Sequence, residues 1–191
     1  MPRELRLVLA HGSDQLLSML SESLDKRHSV IATCGTVGGL RSTILRERPD
    51  LVVTGIEFAD GDGLELMIEL GETDPVPSVI VTAKRSIGLV EKAMQDHVMA
   101  YLLEPVRPDD LEAAIIVAEA RFEQLEALNQ EVNDLRQALQ DRKVIERAKG
   151  VVMASEGLSE LDAFIKIRSD AQSRRVRMID VAQELLDAAG N

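Results

Sequence analysis

Two cations near the C-terminus of the chain are spaced for binding an anionic partner. Arg142 and Lys149 lie seven residues apart in the stretch 142–153, which reads Arg-Lys-Val-Ile-Glu-Arg-Ala-Lys-Gly-Val-Val-Met. A spacing of seven residues returns to nearly the same face of a helix, and the apolar residues of this stretch fall on a different face. The pattern predicts a helix that buries one side and presents fixed cations on another.

Small residues and a second group of cations extend this candidate surface. Small side chains beside Lys149 would let a partner approach closely, and the turn 173–177 holds the densest group of arginines in the chain. The candidate contacts are Arg142, Lys149, Gly150, Ala148, Arg174, Arg175 and Arg177. The alternative is a solvated helix face with local ion pairs, such as Arg142 with Glu146 four residues later, and with Ala148 as a packing residue.

Charge is divided unevenly along the 191 residues, which carry a net charge of −11. Residues 1–135 hold 12 Lys and Arg against 24 Asp and Glu, whereas residues 136–191 hold 10 against 9. We therefore expect anion binding in the C-terminal part and a different task in the acidic part before it. Aliphatic residues must fill the core, because only 2% of the residues are aromatic.

The chain lacks the residues that several classes of protein need for their function. Cys34 is the single cysteine, so no intrachain disulfide or thiolate metal site can form, and we expect a buried, reduced thiol. The sequence contains no nucleophile–base set and no phosphate-cradling glycine loop, which predicts a protein that is not an enzyme and uses no cofactor or metal. No apolar run is long enough to span a bilayer and no leader opens the chain, which predicts a cytoplasmic protein without membrane contact.

The first 110 residues alternate short apolar runs with amphipathic stretches. Predicted strands cover residues 5–9, 29–34, 51–54, 78–82 and 100–103, and predicted helices cover 15–27, 39–48, 63–71 and 87–96. The strands are runs of Val, Ile and Leu without polar alternation, which is typical of strands covered on both faces. The pattern predicts an α/β domain over residues 1–110 with a doubly wound, five-stranded parallel sheet, whose ligands would lie at the carboxyl ends of the strands.

A continuous helix is predicted to follow over residues 111–140, because no Gly or Pro occurs between Pro108 and Gly150. Its apolar residues recur about every 3.5 residues, which is typical of a dimeric coiled coil, and Leu128 and Leu135 widen the stripe. The predicted dimerisation residues are Phe122, Leu125, Asn129, Val132 and Leu139. A single inner Asn favours a parallel, in-register dimer. The alternative is a helix that folds back on its own domain.

The remaining residues, 141–191, predict an all-α three-helix bundle whose first helix continues from the preceding one. After Leu139 the apolar positions move to another side of the helix, which indicates a new packing partner. Ser159 begins a sequence that resembles a capping box, with Asp162 in the place of Glu. The core residues expected from the last two helices are Phe164, Ile167, Ala171, Met178, Ile179, Ala182, Leu185 and Leu186.

The C-terminal part, from about Leu135 to Leu186, resembles the ANTAR domain, the RNA-binding module of bacterial transcription antiterminators. The resemblance rests on Ala138, Arg142, Ile145, Ala148-Lys149-Gly150, Met153, Gly157-Leu158-Ser159, Ala163-Phe164, Ala171, Arg177 and Val181-Ala182. It implies binding to paired RNA stem-loops, which prevents an overlapping terminator hairpin from forming. Guanidinium groups and small residues can hold splayed loop bases, while Arg and Lys neutralise phosphates.

The N-terminal part, from Leu5 to about Leu111, resembles the receiver domain of response regulators, which implies a flavodoxin-like strand order. Receivers phosphorylate an Asp at the end of the third strand and bind Mg²⁺ through an acidic pair after the first. They also use a Thr or Ser after the fourth strand, and a Lys before a Pro after the fifth. The corresponding residues here are Gly55, His11-Gly12, Thr82 and Glu104, and Tyr101 matches the aromatic residue that usually responds to the Thr.

Three of these departures remove the chemistry of phosphoryl transfer. Gly55 has no carboxylate to form an acyl phosphate, and His11-Gly12 supplies no hard oxygen ligands for Mg²⁺. Glu104 places a negative charge where the phosphoryl group needs a positive one. The pattern predicts a pseudo-receiver that is not phosphorylated and that serves dimerisation or the docking of a ligand-sensing or kinase-like regulatory protein. Nearby carboxylates are expected to cap a helix (Asp14) or to be solvated (Glu57, Asp60 and Asp62).

Together these features predict a homodimeric, RNA-binding transcription antitermination regulator. One alternative makes the C-terminal bundle a protein–protein interaction module in a signalling complex that does not bind RNA. Another is DNA binding through a helix-turn-helix, but the polar face of the last helix carries Asp180, Glu184 and Asp187, which would repel phosphates. We therefore expect no DNA partner.

Overall fold

The computed structural model describes residues 3–84, 88 and 98–189. Apart from Gly88, the helix predicted over residues 87–96 lies outside the described residues. In chain order the elements are β1 (Arg6–Ala10), α1 (Asp14–Leu24), β2 (Ser29–Cys34), α2 (Val37–Glu47), β3 (Leu51–Thr54), β4 (Glu57–Phe58), β5 (Gly61–Asp62), α3 (Gly63–Thr73), β6 (Ser78–Thr82) and β7 (Val98–Leu103). Three further helices follow, namely α4 (Pro108–Glu156), α5 (Glu160–Arg174) and α6 (Met178–Ala189).

Five of the strands form a parallel sheet in the order β2-β1-β3-β6-β7. This is the flavodoxin-like order, and the predicted α/β fold class with a long helix and C-terminal helices is confirmed. Strands β3 and β6 are buried along their full length, as expected for central strands of a sheet covered on both faces. The antiparallel hairpin of β4 and β5 was not predicted.

Alternate residues of the strands supply two apolar cores, one on each face of the sheet. The first core includes Leu7, Leu9, Leu20, Val53 and Ile115, and the second includes Val8, Ala10, Ile44, Val52 and Met67. Successive side chains of a strand point to opposite faces, so a strand that lies between two cores must be apolar throughout. This requirement explains the uninterrupted Val, Ile and Leu runs in the sequence.

Polar side chains fix the starts of helices beside the carboxyl ends of the strands. Ser13 accepts a hydrogen bond from the backbone N–H of Leu16 and is the N-cap of α1. The prediction that Asp14 caps this helix is therefore wrong, because Asp14 is its first residue. Asp62 was expected to be solvated, but it accepts the N–H groups of Leu64 and Glu65 and caps α3.

Helix α4 is unbroken over 49 residues and passes through Gly150. It ends at Glu156, and the next residue, Gly157, has a φ of 68°, a left-handed conformation that glycine adopts at little cost. The chain divides into two compact units, residues 1–126 and 127–191. The finer division into 1–110, 111–140 and 141–191 stays a prediction.

The second unit has its own apolar core, which consists of Ala148, Val152, Ala163, Ile167, Ala171, Val181 and Ala182. The cap predicted at Ser159 is confirmed, because its Oγ accepts the N–H of Asp162 at 3.2 Å and donates to the Asp162 carboxylate at 2.6 Å. Phe164 and Ile179, which the pattern places in the core, are only partly buried and lie outside this cluster. The core is built mainly of small residues, so the helices approach one another closely.

Within the described ranges, no helix has the length and apolar character needed to cross a bilayer. Among the same residues, no three His, Cys, Asp or Glu side chains are grouped closely enough to hold a metal ion. Cys34 is buried and free, as the sequence predicts.

Candidate functional site

In the second unit, helix α4 presents an exposed side opposite the side that it buries. Lys143, Arg147, Gly150 and Ala154 are exposed, whereas Val152 belongs to the core. At about 100° per residue, the four exposed residues fall within about 60° of one another and roughly opposite Val152. We call Lys143, Arg147, Gly150 and Ala154 the open face of α4.

The cations of the open face have no protein partner. Within the described part of the chain, the side chains of Lys143 and Arg147 make no hydrogen bond or ion pair, and neither does the exposed side chain of Arg142. The local pair considered for Arg142 with Glu146 does not form, because the Glu146 carboxylate binds Lys149 instead. These three cations are therefore available to an external anion.

Lys149 is buried, which corrects the expectation that it projects from the helix as a free cation. Its residue surface is only 6% exposed. The Nζ donates to Glu146 Oε2 at 2.8 Å and to Glu160 Oε1 at 2.7 Å. The hydrogen bonds to Glu146 and then Glu160 raise the pKa of Lys149, and Lys149 lowers the pKa of Glu160. Because Glu160 is the first residue of α5, Lys149 clamps α4 to α5.

The two small residues beside Lys149 differ in position. Ala148 is fully buried in the core of the second unit, so it is a packing residue, and the expectation that it permits close approach is wrong. Gly150 is exposed, and a β-carbon added there would meet no atom within 4 Å. Of this pair, only Gly150 is open to a partner.

The arginines of the turn after α5 are mostly neutralised. Arg174 donates two hydrogen bonds of 2.7 Å to Glu184, and Arg177 pairs with Asp180 at 2.7 Å. These carboxylates, which belong to α6, raise the pKa values of both arginines. Arg175 is exposed in a left-handed conformation with a φ of 56°, and it pairs with no described residue. Only Arg175 of this group is a free cation.

An apolar seam runs along α4 before the open face. Leu128, Leu135 and Leu139 are exposed by 57%, 58% and 60%, and Val132 by 36%. Together with the half-buried Leu125, these residues repeat at alternating spacings of three and four, which is the spacing of a coiled-coil seam. We call Leu125, Leu128, Val132, Leu135 and Leu139 the seam of α4.

Two of the predicted dimerisation residues lie elsewhere. Phe122 lines a cavity of the first unit that also includes Ile44 and Val76, so its side chain is engaged within the unit. Asn129 is exposed, as is the neighbouring Leu128. The inner position that the sequence pattern predicts for Asn129 stays a prediction.

At the carboxyl ends of the strands, His11 lies over Gly55. A β-carbon added to Gly55 would lie 2.5 Å from His11 Cδ2 and 3.0 Å from Nε2. His11 Nδ1 accepts the backbone N–H of Ser13 at 3.0 Å, so a neutral ring carries its proton on Nε2. Nε2 is 3.4 Å from Glu104 Oε1. The imidazole fills the space that a side chain on Gly55 would need, and it links the loops after β1 and β7.

The neighbouring Gly12 also has no room for a side chain. A β-carbon there would lie 2.6 Å from the carbonyl oxygen of Glu57. The positions after β1 where an acidic pair would bind Mg²⁺ are thus occupied by an imidazole and by a tightly packed glycine.

Lys84 is a functional candidate that sequence reasoning missed. Its Nζ pairs with Glu57 Oε1 at 2.6 Å, which raises the pKa of Lys84. Its backbone N–H donates to Thr82 Oγ1 at 3.1 Å, and its carbonyl accepts the Tyr101 hydroxyl at 2.8 Å. The two residues that match the receiver pattern therefore converge on Lys84. Its position two residues after the fourth predicted strand is the signal that could have identified it.

Asp60 is also engaged, although it was expected to be solvated. Its carboxylate accepts the backbone N–H groups of Val37 at 2.9 Å and Gly38 at 3.0 Å. These bonds, the one from Gly38 first, lower the pKa of Asp60. The carboxylate ties the loop between β4 and β5 to the start of α2, so it is committed to a structural contact.

Comparison with protein families identifies two regions. Residues 8–116 match the response regulator receiver domain, and residues 133–186 match the ANTAR domain. The transcriptional regulatory protein PdtaR of Mycobacterium tuberculosis (strain ATCC 25618 / H37Rv) is 35% identical over 189 residues, which cover 97% of this chain and 91% of PdtaR.

Solved structures resemble the first region. A LuxR-family DNA-binding response regulator from Staphylococcus aureus has a TM-score of 0.57 at 22% identity, over 60% of this chain and 98% of that chain. The signal receiver domain of a modulated diguanylate cyclase from Desulfovibrio desulfuricans G20 has a TM-score of 0.59 at 19% identity, over 65% of this chain and 99% of that chain. At these identities the likeness shows the receiver fold.

Proposed function

The chain belongs to the response regulators that combine a receiver domain with an ANTAR domain, and on this premise we propose that it is a transcription antitermination regulator that binds paired RNA stem-loops. It acts in the cytoplasm as a homodimer. Its receiver domain is not phosphorylated and serves to dock a regulatory protein.

The observation that carries RNA binding is a group of unpaired cations in an acidic chain. The net charge is −11, yet Arg142, Lys143 and Arg147 cluster on one helix without a carboxylate partner among the described residues. Unpaired cations on a fixed helix suit phosphate groups, which Arg and Lys neutralise with release of counterions. Of the predicted contacts, Arg142, Gly150 and Arg175 are open to RNA, whereas Lys149, Arg174 and Arg177 already hold carboxylates.

The proposal that the receiver is not phosphorylated is supported by its strand-end pocket. The residue at the end of β3 has no carboxylate, and the ring of His11 fills the space beside Gly55. Glu104 faces His11, and Lys84, the cation near Thr82 among the described residues, is paired with Glu57. Among the described residues of this pocket, a phosphoryl group would meet neither an acceptor nor a free ammonium group. Regulation must then act through contacts of the domain surface with a ligand-sensing or kinase-like protein.

The proposal of a homodimer is supported by the seam of α4. Three of its four leucines are more than half exposed in the single chain, and the spacing of the seam fits knobs-into-holes packing with a second copy. An isolated helix with such a seam is unstable in water, because its apolar residues remain hydrated. Pairing would also place two RNA-binding units together, which matches a target of two stem-loops.

RNA binding can be tested with the full chain and a pool of RNAs that carry two tandem stem-loops with randomised loop nucleotides. We expect the chain to enrich a defined loop sequence in both hairpins and to bind a single hairpin more weakly. Affinity should fall as salt rises, because phosphate contacts release counterions. Duplex DNA of equal length is the control. Failure to enrich any RNA, together with salt-independent binding of a protein partner, would show that the C-terminal unit is a protein-interaction module.

A further inference from the structure

The cations of the second unit fall into two groups according to their partners. Those that pair with a carboxylate are Lys149, Lys166, Arg174 and Arg177. Those that pair with no described residue are Arg136, Arg142, Lys143, Arg147, Arg168 and Arg175. A paired cation must leave its carboxylate before it can bind phosphate, so the second group can bind RNA at lower cost.

Within the second group, Lys143 and Arg147 lie next to each other on one face of the helix. They lie four residues apart on the open face of α4, and both are exposed. Like charges at this spacing repel each other in the free protein. A phosphate group bound between them would remove the repulsion and gain two attractive contacts. The pair is therefore better suited to an anion than either cation alone.

Small residues continue the same face beyond the two cations. Gly150 follows Arg147 by three residues and Ala154 follows Gly150 by four, so all four residues form one stripe. The space beyond Gly150 is open to at least 4 Å from a β-carbon position. An RNA backbone that is held by the cations can thus lie close to the helix, where a longer side chain would hold it away.

Lys149 lies outside this stripe and has a structural role. Its ammonium group is buried and binds one carboxylate from α4 and one from α5. Binding phosphate would require it to leave both Glu146 and Glu160, which would release the start of α5. The geometry makes Lys149 a positioning residue, which holds the bundle in the arrangement that exposes the open face.

We infer that the open face of α4 is the RNA-binding surface, with Lys143 and Arg147 as the cations that contact the phosphates. The occupant is the sugar–phosphate backbone of an RNA stem-loop, as the unpaired positive charge and the close approach at Gly150 require. This inference rests on the proposed function and names the surface that performs it. It moves the contact from Lys149, which lies outside the stripe, to Lys143 and Arg147, which lie on it.

The test measures the affinity of the full chain for the RNA enriched from the tandem stem-loop pool, as a function of salt. The Lys143→Gln/Arg147→Gln variant should bind at least about tenfold more weakly, and the slope of log affinity against log salt should fall by about 1.4 to 1.8, because two phosphate contacts are lost. The matched control, Lys166→Gln/Arg177→Gln, removes the same charge from paired cations and should keep the wild-type slope. Circular dichroism of each variant checks that the helices are retained.

Two further variants sharpen the result. Gly150→Leu should weaken binding and keep the salt slope, because it blocks approach without removing charge. Lys149→Gln with a wild-type melting temperature and a reduced slope would make Lys149 the contact and overturn the inference. If the Lys143→Gln/Arg147→Gln variant keeps the wild-type affinity and salt slope, the inference is overturned. The proposed function would still stand in that case. If the wild-type chain binds no RNA from the pool, the proposed function fails and the inference fails with it.

Discussion

The ring of His11 occupies the place of a side chain on residue 55, with its Cδ2 2.5 Å from where a β-carbon on Gly55 would lie. The ring cannot move freely, because Nδ1 accepts the N–H of Ser13 and Nε2 faces Glu104. The ring thereby packs the loop after β1 against the loop after β7. The pocket at the end of the sheet is filled by the protein itself.

A methyl group on residue 55 should destabilise the chain only while His11 is present. In Gly55→Ala the ring must give up its contacts with Ser13 and Glu104, which should lower the free energy of unfolding by about 1 kcal/mol. In the His11→Ala background the same change should cost less than about 0.5 kcal/mol. Urea unfolding of the wild type, both single variants and the double variant measures the coupling. Equal losses in the two backgrounds would show that the ring does not fill this space.

Beryllofluoride with Mg²⁺ should leave the chain unchanged. The end of β3 offers no carboxylate, and the positions after β1 offer no acidic pair to bind the metal. We expect the melting temperature to change by less than about 1 °C, since a ligand that does not bind the native state cannot stabilise it. A receiver domain that has the acceptor Asp is the positive control. A rise that depends on Mg²⁺ would mean that other carboxylates near the pocket bind the metal.

Replacing Lys149 by Met should lower the melting temperature, because the clamp between α4 and α5 is lost. The effect should depend on pH at both extremes. The folded pKa of Glu160 is lowered from 4.5. The stability that ionised Glu160 contributes is therefore fully present above that pH and is lost as the pH falls through its folded pKa. The pKa of Lys149 is raised from 10.5. The stability that protonated Lys149 contributes is therefore fully present below that pH and is lost as the pH rises through its folded pKa.

The difference in melting temperature between wild type and Lys149→Met should thus be constant between the ordinary pKa values of Glu and Lys, and should narrow as the pH falls through the lowered pKa of Glu160. Thermal unfolding followed by circular dichroism measures it. Lys166→Met is the matched control, because Lys166 pairs with Glu156 at an exposed position and should contribute less. A difference in melting temperature that stays as large in acid, throughout the range in which the protein remains folded, as at neutral pH would exclude the ion pair as its source.

A charge in the seam of α4 should break the dimer. Leu135→Glu places two carboxylates in the proposed interface and removes two buried leucines, each worth about 1.5 to 3 kcal/mol, so the dimer dissociation constant should rise by about 10²-fold or more. Sedimentation equilibrium of the full chain measures this change. Leu161→Glu is the control, since Leu161 is 67% exposed but lies on α5, away from the seam. If both variants dimerise like the wild type, the seam is not the interface.

The sheet and the long helix could be predicted because their signals are local. Uninterrupted apolar runs such as Leu51-Val52-Val53 follow from burial on both faces, and the absence of Gly and Pro from 109–149 follows from a continuous helix. The cap at Ser159 depends on a contact three residues away and was equally readable. The β4–β5 hairpin was missed because each of its strands has only two residues, which is too short for a periodic pattern.

The availability of each cation could not be predicted, because it depends on contacts between helices. The ammonium group of Lys149 binds Glu160, eleven residues later on another helix, and Arg174 is bound by Glu184 of α6. Neither cation is therefore free. Within α4 itself, Glu146 could have paired with Arg142 or Lys149, and it pairs with Lys149, which also binds Glu160 of α5. Composition and spacing identify the cations but do not show which carboxylates the fold brings to them.

The contact between His11 and Gly55 also limits how this pocket could evolve. An Asp introduced at residue 55 would meet the ring, and a smaller residue at position 11 would still leave position 55 without a carboxylate. Each single substitution therefore leaves position 55 without an accessible carboxylate. Substitutions at both positions would be needed before residue 55 could accept a phosphoryl group.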